Sequence, residues 1–208
     1  MPDPIQAPAT EPQPAADART QRRVSDPTTM RALAHPIRLA LLEAFQTEGQ
    51  LTATRAAELL GESPGNMSWH LQTLAKYGFI EEVAGTAGRS RPWRVKASVT
   101  RFSPDEADPA SVAAGRVLAT MLLERSYERL REWWATEHTF AKEWRDAASV
   151  NSSTSFMTPA ELAELGEAIT ALAVRFNERI DPAKRPAGAL PVHFTSFIHP
   201  IAPTPTEE

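Results

Sequence analysis

The sequence contains no cysteine among its 208 residues. This absence excludes disulfide bonds, thiolate metal sites, cysteine-based redox sensing and cysteine nucleophiles. The chain also lacks any stretch of about 20 uninterrupted apolar residues, which is the length that a membrane-spanning helix requires. These two absences leave a globular protein of ordinary composition, with 42% hydrophobic residues and enough length to bury one or two cores.

The first residues, MPDPIQAPATEPQPAADA, lack the basic start and the apolar run of a signal peptide. We therefore expect a cytoplasmic protein with no membrane partner. Residues 1–24 contain five of the 18 prolines and few large apolar side chains, which predicts a disordered tail. Arg19, Arg22 and Arg23 near its end either belong to this solvated tail or form an arm that enters a DNA groove.

Charge is distributed unevenly along the chain. Residues 22–101 carry 11 Lys and Arg against 7 Asp and Glu, a net charge of +4. Residues 102–208 carry 10 against 16, a net charge of −6. Because basic side chains supply much of the affinity for DNA phosphates, this split is typical of a DNA-binding module joined to a module of another kind.

Short helices are predicted over residues 27–33, 36–45, 54–60 and 64–77. Gly61 ends the third helix, and Ser63 followed by proline begins the fourth. In this fourth helix Met67, Leu71 and Leu74 recur at intervals of four and three residues, which places them on one face. The last two helices, separated by a three-residue turn, therefore form a predicted helix-turn-helix.

After Gly78 the hydrophobic period changes from that of a helix to that of a strand. Residues 79–83 and 93–95 read as two strands, joined by a glycine-rich turn over residues 84–90. This pattern predicts a β-hairpin, the wing of a winged helix-turn-helix. Arg89, Arg91 and Arg94 cluster in it, although basic residues also occur on hairpins that have only a structural role.

Residues 109–150 are helical in pattern over an unusually long span, as one dimerisation helix or as two helices broken near residues 135–136. Strands are predicted at residues 153–157 and 191–198, on either side of a helix that begins with a capping box at Thr158. The predicted fold class is therefore mainly α with small β. We assign residues 1–24 to the tail, 25–101 to the winged helix-turn-helix, and 102–208 to a dimerisation and candidate effector-binding domain.

Two runs, LAHPIRLALLEAF (residues 33–45) and LTATRAAELLGESPGNMSWHLQTLAKYGFIEE (residues 51–82), resemble the ArsR-type, arsenical-repressor-like winged-helix regulators of bacteria. The resemblance covers roughly 65 residues, from the leucine-rich segment around the Pro-x-Arg step to the entry of the wing. It implies that residues 63–77 enter the major groove as recognition helix, with the wing beside it on phosphates or the minor groove. Residues 102–208 lie outside it.

The resemblance also implies a set of DNA-contacting residues in the recognition helix: Ser63, Gly65, Asn66, Ser68, Trp69, His70 and Gln72. The arginines clustered in the predicted wing, Arg89, Arg91 and Arg94, are further candidates for DNA contact. Asn66 and Gln72 can make bidentate contacts to adenine, and Ser68 can contact phosphates or bases. Trp69 either stacks on a sugar or a thymine methyl group or packs on the wing. His70 lies beside the apolar stripe and is either a DNA contact or a structural histidine.

The best-known members of this family sense metals through cysteine thiolates, which this sequence lacks, so we expect no metal site and no cofactor. The C-terminal half instead contains aromatic residues that either line a pocket for a small apolar or aromatic effector or form the core and the dimer interface. These candidate pocket residues are Trp133, Phe140, Trp144, Phe156, Phe176 and Phe194.

The leading hypothesis is a homodimeric regulator, by default a repressor, that binds a pseudo-palindromic operator in double-stranded DNA. One rival is a protein-interaction module built on the winged helix. The other is a small enzyme that uses the winged helix to dimerise. No glycine-rich nucleotide loop or Gly-x-Ser-x-Gly motif follows residue 100, which argues against an enzyme, and no catalytic residues are assigned.

Overall fold

The computed structural model describes residues 21–83, 91–96 and 99–202. Its N-terminal part contains, in chain order, β1 (Gln21–Val24), α1 (Pro27–Leu33), α2 (Pro36–Glu48), β2 (Gln50–Leu51), α3 (Ala53–Leu60), α4 (Pro64–Lys76), β3 (Ile80–Glu82), β4 (Trp93–Val95) and β5 (Val99–Phe102). The C-terminal part contains α5 (Pro109–Thr136), α6 (Lys142–Ala147) and α7 (Pro159–Val174). The fold is mainly α with small β-sheets, as predicted.

Five of the helices begin in the same way, with a side-chain cap followed by proline. The capping residues are Asp26, His35, Ser63, Asp108 and Thr158. Each side chain accepts a hydrogen bond from a backbone N–H of the first turn, and the proline that follows has no N–H to leave unpaired. These local signals explain why the starts of α1, α2, α4, α5 and α7 fall where the sequence predicts them.

A single hydrophobic core joins α1, α2, α4 and the first half of α5. Its fully buried side chains include Met30, Leu33, Leu41, Phe45, Met67, Leu71 and Leu118. All of these lie before residue 119, and no hydrophobic residue in the described part of the chain after that point is buried to the same degree. The part of the chain that a core stabilises is therefore the N-terminal part together with the first half of α5.

Two small sheets complete this domain. One is the predicted wing sheet, in which β4 pairs antiparallel with β2 and with β3. The other pairs β1 in parallel with β5, which the sequence did not predict. Residues 21–24 were expected in the disordered tail, and the structure places them in a strand because residues 99–102 supply the hydrogen-bonding neighbour.

The long helical region breaks near residue 136, which is the second of the two predicted alternatives. A 3-10 turn at Glu137–Thr139 separates α5 from α6. The strands predicted at residues 153–157 and 191–198 are wrong, since both segments are irregular. Alternating side chains give a strand only when a neighbouring strand pairs with its backbone, and none does so within the described residues.

Polar contacts attach the C-terminal half to α2. Glu43 on α2 accepts hydrogen bonds from Arg125, at 2.8 Å, and from Arg129, at 2.5 Å, both on α5. Arg185, beyond α7, donates to the carbonyl oxygen of Thr47 at 3.0 Å.

No helix within the described residues combines the length and the apolar character that crossing a membrane requires.

The packing of α5 against the segment before it gives a stability prediction. A Cβ atom added at Gly115 would lie 2.2 Å from Cγ of Pro104. We expect Gly115→Ala to lower the free energy of unfolding by about 1–3 kcal/mol, because backbone or ring must move to relieve the overlap. Urea denaturation measures this change.

Gly65→Ala is the matched control, since Gly65 is also helical but a Cβ there meets nothing within 4 Å. We expect this variant to be as stable as the parent chain or more stable by up to about 1 kcal/mol. Equal effects of the two substitutions would contradict the packing explanation.

Candidate nucleic-acid interface

Three residues with defined roles fix the ends of α3 and the start of α4. Thr52 caps α3 by accepting a hydrogen bond from the Arg55 N–H at 3.1 Å. Gly61 ends that helix in the left-handed region, with φ of 68°. Two residues later the Ser63 hydroxyl accepts from the Asn66 N–H at 3.2 Å and begins α4. The chain therefore turns sharply between two capped helices.

The rotation of α4 about its own axis is fixed by the side chains that it buries. Met67, Leu71 and Leu74 are at most 1% exposed. Because these residues lie on one face, the opposite face points to solvent. That face carries the side chains of the predicted recognition set, Ser63, Asn66, Ser68, Trp69 and Gln72, with the bare backbone of Gly65.

His70 is the exception among the predicted recognition-helix contacts. It is 2% exposed and lies in the core, which agrees with the structural interpretation of this histidine rather than with a DNA contact. Its ring centroid is 4.7 Å from that of His35, whose Nδ1 accepts the Ile37 N–H and caps α2. The histidine therefore helps to join α4 to the start of α2.

Trp69 is 57% exposed in the middle of α4. Its ring contacts His70 edge-on at 4.7 Å, and the Arg38 guanidinium lies 5.9 Å from its centroid. Arg38 is only 7% exposed, and in the described part of the chain it forms no ion pair with a carboxylate. The indole of Trp69 thus contacts the imidazole of His70 and lies near the guanidinium of Arg38, while more than half of its surface remains exposed to solvent.

Gly65 lies in the first turn of α4, where a Cβ would meet no atom within 4 Å. Nothing inside the chain requires glycine at this position, although glycine costs a helix about 1 kcal/mol relative to alanine. Asn66 next to it is oriented by a hydrogen bond from Nδ2 to the Glu62 carboxylate at 2.9 Å. The start of α4 therefore presents open backbone beside an oriented amide.

Two of the three predicted wing arginines, Arg91 and Arg94, form ion pairs with glutamates. Arg94 contacts Glu81 across the β3–β4 ladder at 2.8 Å, and Arg91 contacts Glu82 at 3.0 Å. All four side chains are substantially exposed, and such pairs contribute about 0–1 kcal/mol, so a phosphate can compete for either guanidinium. Arg89 lies outside the described residues.

Sequence reasoning missed two further side chains on α4. Thr73 and Lys76 lie four and seven residues after Trp69, on the same side of the helix. Lys76 is exposed, whereas the Thr73 hydroxyl donates to the Trp69 carbonyl oxygen at 2.9 Å. Helical spacing from Trp69 would have identified Lys76 as the one basic side chain that α4 presents.

Residues 33–83 match the family described as "Helix-turn-helix domain". This segment of the chain is a helix-turn-helix domain. It includes α2, α3, α4 and two strands of the wing sheet, β2 and β3. A comparison with curated proteins finds no match.

Two solved structures are similar over about half of the chain. One is the AntR antimony-specific transcriptional repressor, with 25% identity, a TM-score of 0.31, and coverage of 49% of this chain and 78% of that one. The other is a transcriptional regulator homologue protein from Pyrococcus horikoshii OT3, with 19% identity, a TM-score of 0.31, and coverage of 50% and 92%. The assignment of the domain rests on the family match and on the geometry of α3 and α4.

The six aromatic residues predicted to line an effector pocket are not brought together in one chain. Trp133 and Phe140 are in contact, with ring centroids 5.0 Å apart, and Trp144 on α6 is half-buried. Phe156, Phe176 and Phe194 are each more than half exposed, with Phe156 at 106%. Among the described residues, no group of three His, Asp or Glu side chains could hold a metal ion.

The buried histidine, His70, gives a prediction on how stability depends on pH. Burial lowers the pKa of His70, and the neighbouring His35 and Arg38 lower it further, while Glu62 opposes them. The unfolded chain therefore takes up a proton near pH 6.5 that the folded chain does not, so stability is lost as the pH falls below about 6.5.

We expect the free energy of unfolding to fall between pH 7 and pH 5, and to fall less in His70→Leu, which cannot titrate. Urea denaturation at the two pH values measures both differences. His138, an exposed histidine, provides the control, since His138→Leu should leave the pH dependence unchanged. A fall in His70→Leu as large as that of the parent chain would contradict the role of this residue.

Proposed function

We propose that this protein is a DNA-binding transcriptional regulator that acts as a homodimer on a pseudo-palindromic operator, with repression as its mode of action. The observation that supports this most directly is the two-sided character of α4. Its apolar face, with Met67, Leu71 and Leu74, is at most 1% exposed, while its other face presents amide, hydroxyl and indole groups to solvent. A helix in the major groove requires both faces.

The outward side chains favour contacts to adenine and thymine. Asn66 and Gln72 carry amides, which pair with the N6 and N7 edge of adenine. One N–H of Asn66 is bound to Glu62, and this leaves its second N–H and its carbonyl oxygen for a base. The open face of Trp69 fits the C5-methyl group of thymine or a sugar, and Ser63 and Ser68 fit phosphates or bases.

Phosphate contacts are assigned to the wing and to the end of α4. Arg89, Arg91 and Arg94 are the proposed wing contacts, with Lys76 added by its position. Contact with DNA exchanges the carboxylate partners of Arg91 and Arg94 for phosphates, so the affinity depends strongly on salt.

Exposed apolar side chains in the C-terminal half support the homodimer. On α5, Leu123, Tyr127 and Trp134 follow one another at four and seven residues, on one face, and each is more than 40% exposed. Further exposed apolar residues follow beyond α7: Leu190, Val192, Phe194, Phe197, Ile198 and Ile201. An exposed apolar surface of this extent marks an interaction site. A second copy of the chain, related by a two-fold axis, would place the two copies of α4 in successive major grooves, roughly 34 Å apart.

The proposed effector is a small apolar or aromatic molecule. In the dimer the exposed aromatic side chains, Phe156, Phe176 and Phe194, would meet the partner, so the pocket would form at or near that interface. An effector would then act by binding the DNA-competent and DNA-incompetent dimers with different affinities.

The test of the function is selection from a pool of random duplexes with the purified full chain, followed by titration of the best site over a salt series. An inverted repeat with steep salt dependence supports the regulator, and blocked transcription in vitro from a promoter that overlaps the repeat supports repression. Binding without any enriched motif would contradict sequence-specific recognition and would favour the protein-interaction module.

Base-reading and phosphate-binding residues should respond differently to substitution. We expect Gln72→Ala to change which duplexes are preferred, because an amide-to-base contact is lost. Arg91→Ala should instead weaken binding to all duplexes and reduce the slope of log K against log salt by about 0.9.

Each variant has a matched control on a surface away from α4 and the wing. Gln46→Ala removes an exposed glutamine from α2, and Arg145→Ala removes an exposed arginine from α6. Both controls should bind as the parent chain does. If the controls and the interface variants behaved alike, the assignment of the interface would be wrong.

The bare start of α4 gives a further prediction. Since a Cβ at Gly65 meets nothing within the protein, Gly65→Ala should keep the fold and yet weaken DNA binding by about tenfold, if DNA approaches this backbone closely. Fluorescence anisotropy with the selected duplex measures the affinity. Unchanged affinity in a stable variant would show that DNA stays away from this turn.

A further inference from the structure

The guanidinium of Arg22, in β1, lies at the end of α4. Its Nη2 donates a hydrogen bond to the Tyr77 carbonyl oxygen at 2.5 Å, across 55 residues of sequence. Its Cζ lies 4.4 Å from the centroid of the Phe79 ring. Gly78, with φ of 72°, lies between these two partners, and a Cβ added there would be 3.6 Å from Nη1. One side chain from β1 therefore contacts Tyr77 and Phe79 and lies beside Gly78, the three residues that follow α4.

These residues form the turn that ends α4. The N–H of Gly78 donates to the Ala75 carbonyl oxygen and the N–H of Phe79 to that of Leu74, each at 2.9 Å, which is a Schellman motif. The carbonyl of Tyr77 is left for another donor, at the end of the helix where the backbone dipoles favour a cation. Arg22 supplies both the donor and the positive charge.

The strand that carries Arg22 is attached at the same time to the start of α5. β1 pairs in parallel with β5 over Gln21–Val24, and the Val24 carbonyl oxygen accepts the Ser103 N–H at 3.0 Å. One residue further, the Ser25 carbonyl oxygen accepts the hydroxyl of Ser111 at 2.6 Å. Ser111 is completely buried in the first turn of α5. The segment 21–25 thus connects the end of α4 with the helix proposed to dimerise.

We propose that Arg22 is a positioning residue for DNA recognition, which holds the C-terminal end of α4 in place relative to α5 and does not itself bind DNA. This inference rests on the proposed function. In a dimer built on α5, the position of α4 relative to α5 sets the separation and tilt of the two recognition helices, so a looser end of α4 weakens binding to the whole operator.

The contacts of Arg22 distinguish this role from that of an arm in a DNA groove, which the sequence left open. Nη2 is occupied by Tyr77, and the ring of Phe79 lies within cation–π distance of the guanidinium. Nη1 is buried from solvent. A phosphate therefore cannot reach Nη1 where it lies, and at Nη2 it would compete with the hydrogen bond to Tyr77.

The experiment compares Arg22→Ala, Arg22→Lys and the parent chain on the duplex recovered by selection, over a salt series. Positioning predicts that Arg22→Ala loses affinity on the order of tenfold, with the same preferred sequence and an unchanged salt slope. Arg22→Lys should restore only part of the affinity, because an ammonium keeps the charge but lacks the planar group that lies against Phe79. Arg23→Ala is the neighbouring control, since Arg23 is exposed and donates to the Ser103 hydroxyl instead; it should retain the affinity of the parent chain within about twofold.

A DNA arm predicts the opposite pattern, in which the salt slope falls by about 0.9 and lysine restores the affinity in full. That result would overturn the proposal, and so would an Arg22→Ala variant that binds as the parent chain does. If Arg22→Ala does not fold, Arg22→Lys is compared with the parent chain alone. Weaker binding by Arg22→Lys with an unchanged salt slope then supports positioning, and binding equal to that of the parent chain supports the arm.

Hydrogen exchange gives a readout that needs no DNA. We expect Arg22→Ala to speed amide exchange over residues 74–80, at the end of α4, while Arg23→Ala leaves it unchanged. Unchanged exchange in Arg22→Ala would contradict the positioning role. Failure of the parent chain to select any duplex would instead overturn the proposed function, and the exchange result would still decide what Arg22 does to α4.

Discussion

Burial of the Met67, Leu71 and Leu74 face of α4 is the contact on which the rest of the surface depends. These three side chains lie in the core shared by α1, α2 and α5, and a helix so anchored has little freedom to rotate. Every outward residue of α4 takes its direction from that anchor. His70 follows the same constraint, since it lies between Met67 and Leu74 in sequence and is carried into the core with them.

A buried arginine and two histidines lie close together beside the buried face of α4. Arg38, His35 and His70 meet behind Trp69, and burial lowers the pKa of all three. Neutral histidines can share this space with a guanidinium, whereas protonated ones would add like charges at close range. The same group of side chains that supports the exposed indole is therefore sensitive to protonation, which connects the stability of α4 to pH.

The two halves of the chain differ in how much apolar surface they bury. The chain up to Leu118 holds the buried core and the helix-turn-helix, and Arg91 and Arg94 of the wing pair with neighbouring glutamates. The C-terminal half is attached through the buried first half of α5 and through polar contacts such as Glu43 with Arg125 and Arg129, while many of its aromatic side chains remain exposed. The dimer proposed for DNA binding would bury them against a second copy of the chain.

The sequence by itself determined the local features of this protein. Cap-and-proline pairs placed the starts of five helices, the four-and-three spacing placed the apolar face of α4, and the change of period placed the wing, because each signal acts within a few residues. The tertiary structure decided the pairing of β1 with β5, the burial of His70, the position of Arg22 and the failure of residues 191–198 to form a strand. Each of these depends on a neighbour far away in sequence, which supplies or withholds a hydrogen bond or a packing surface that no local spacing can show.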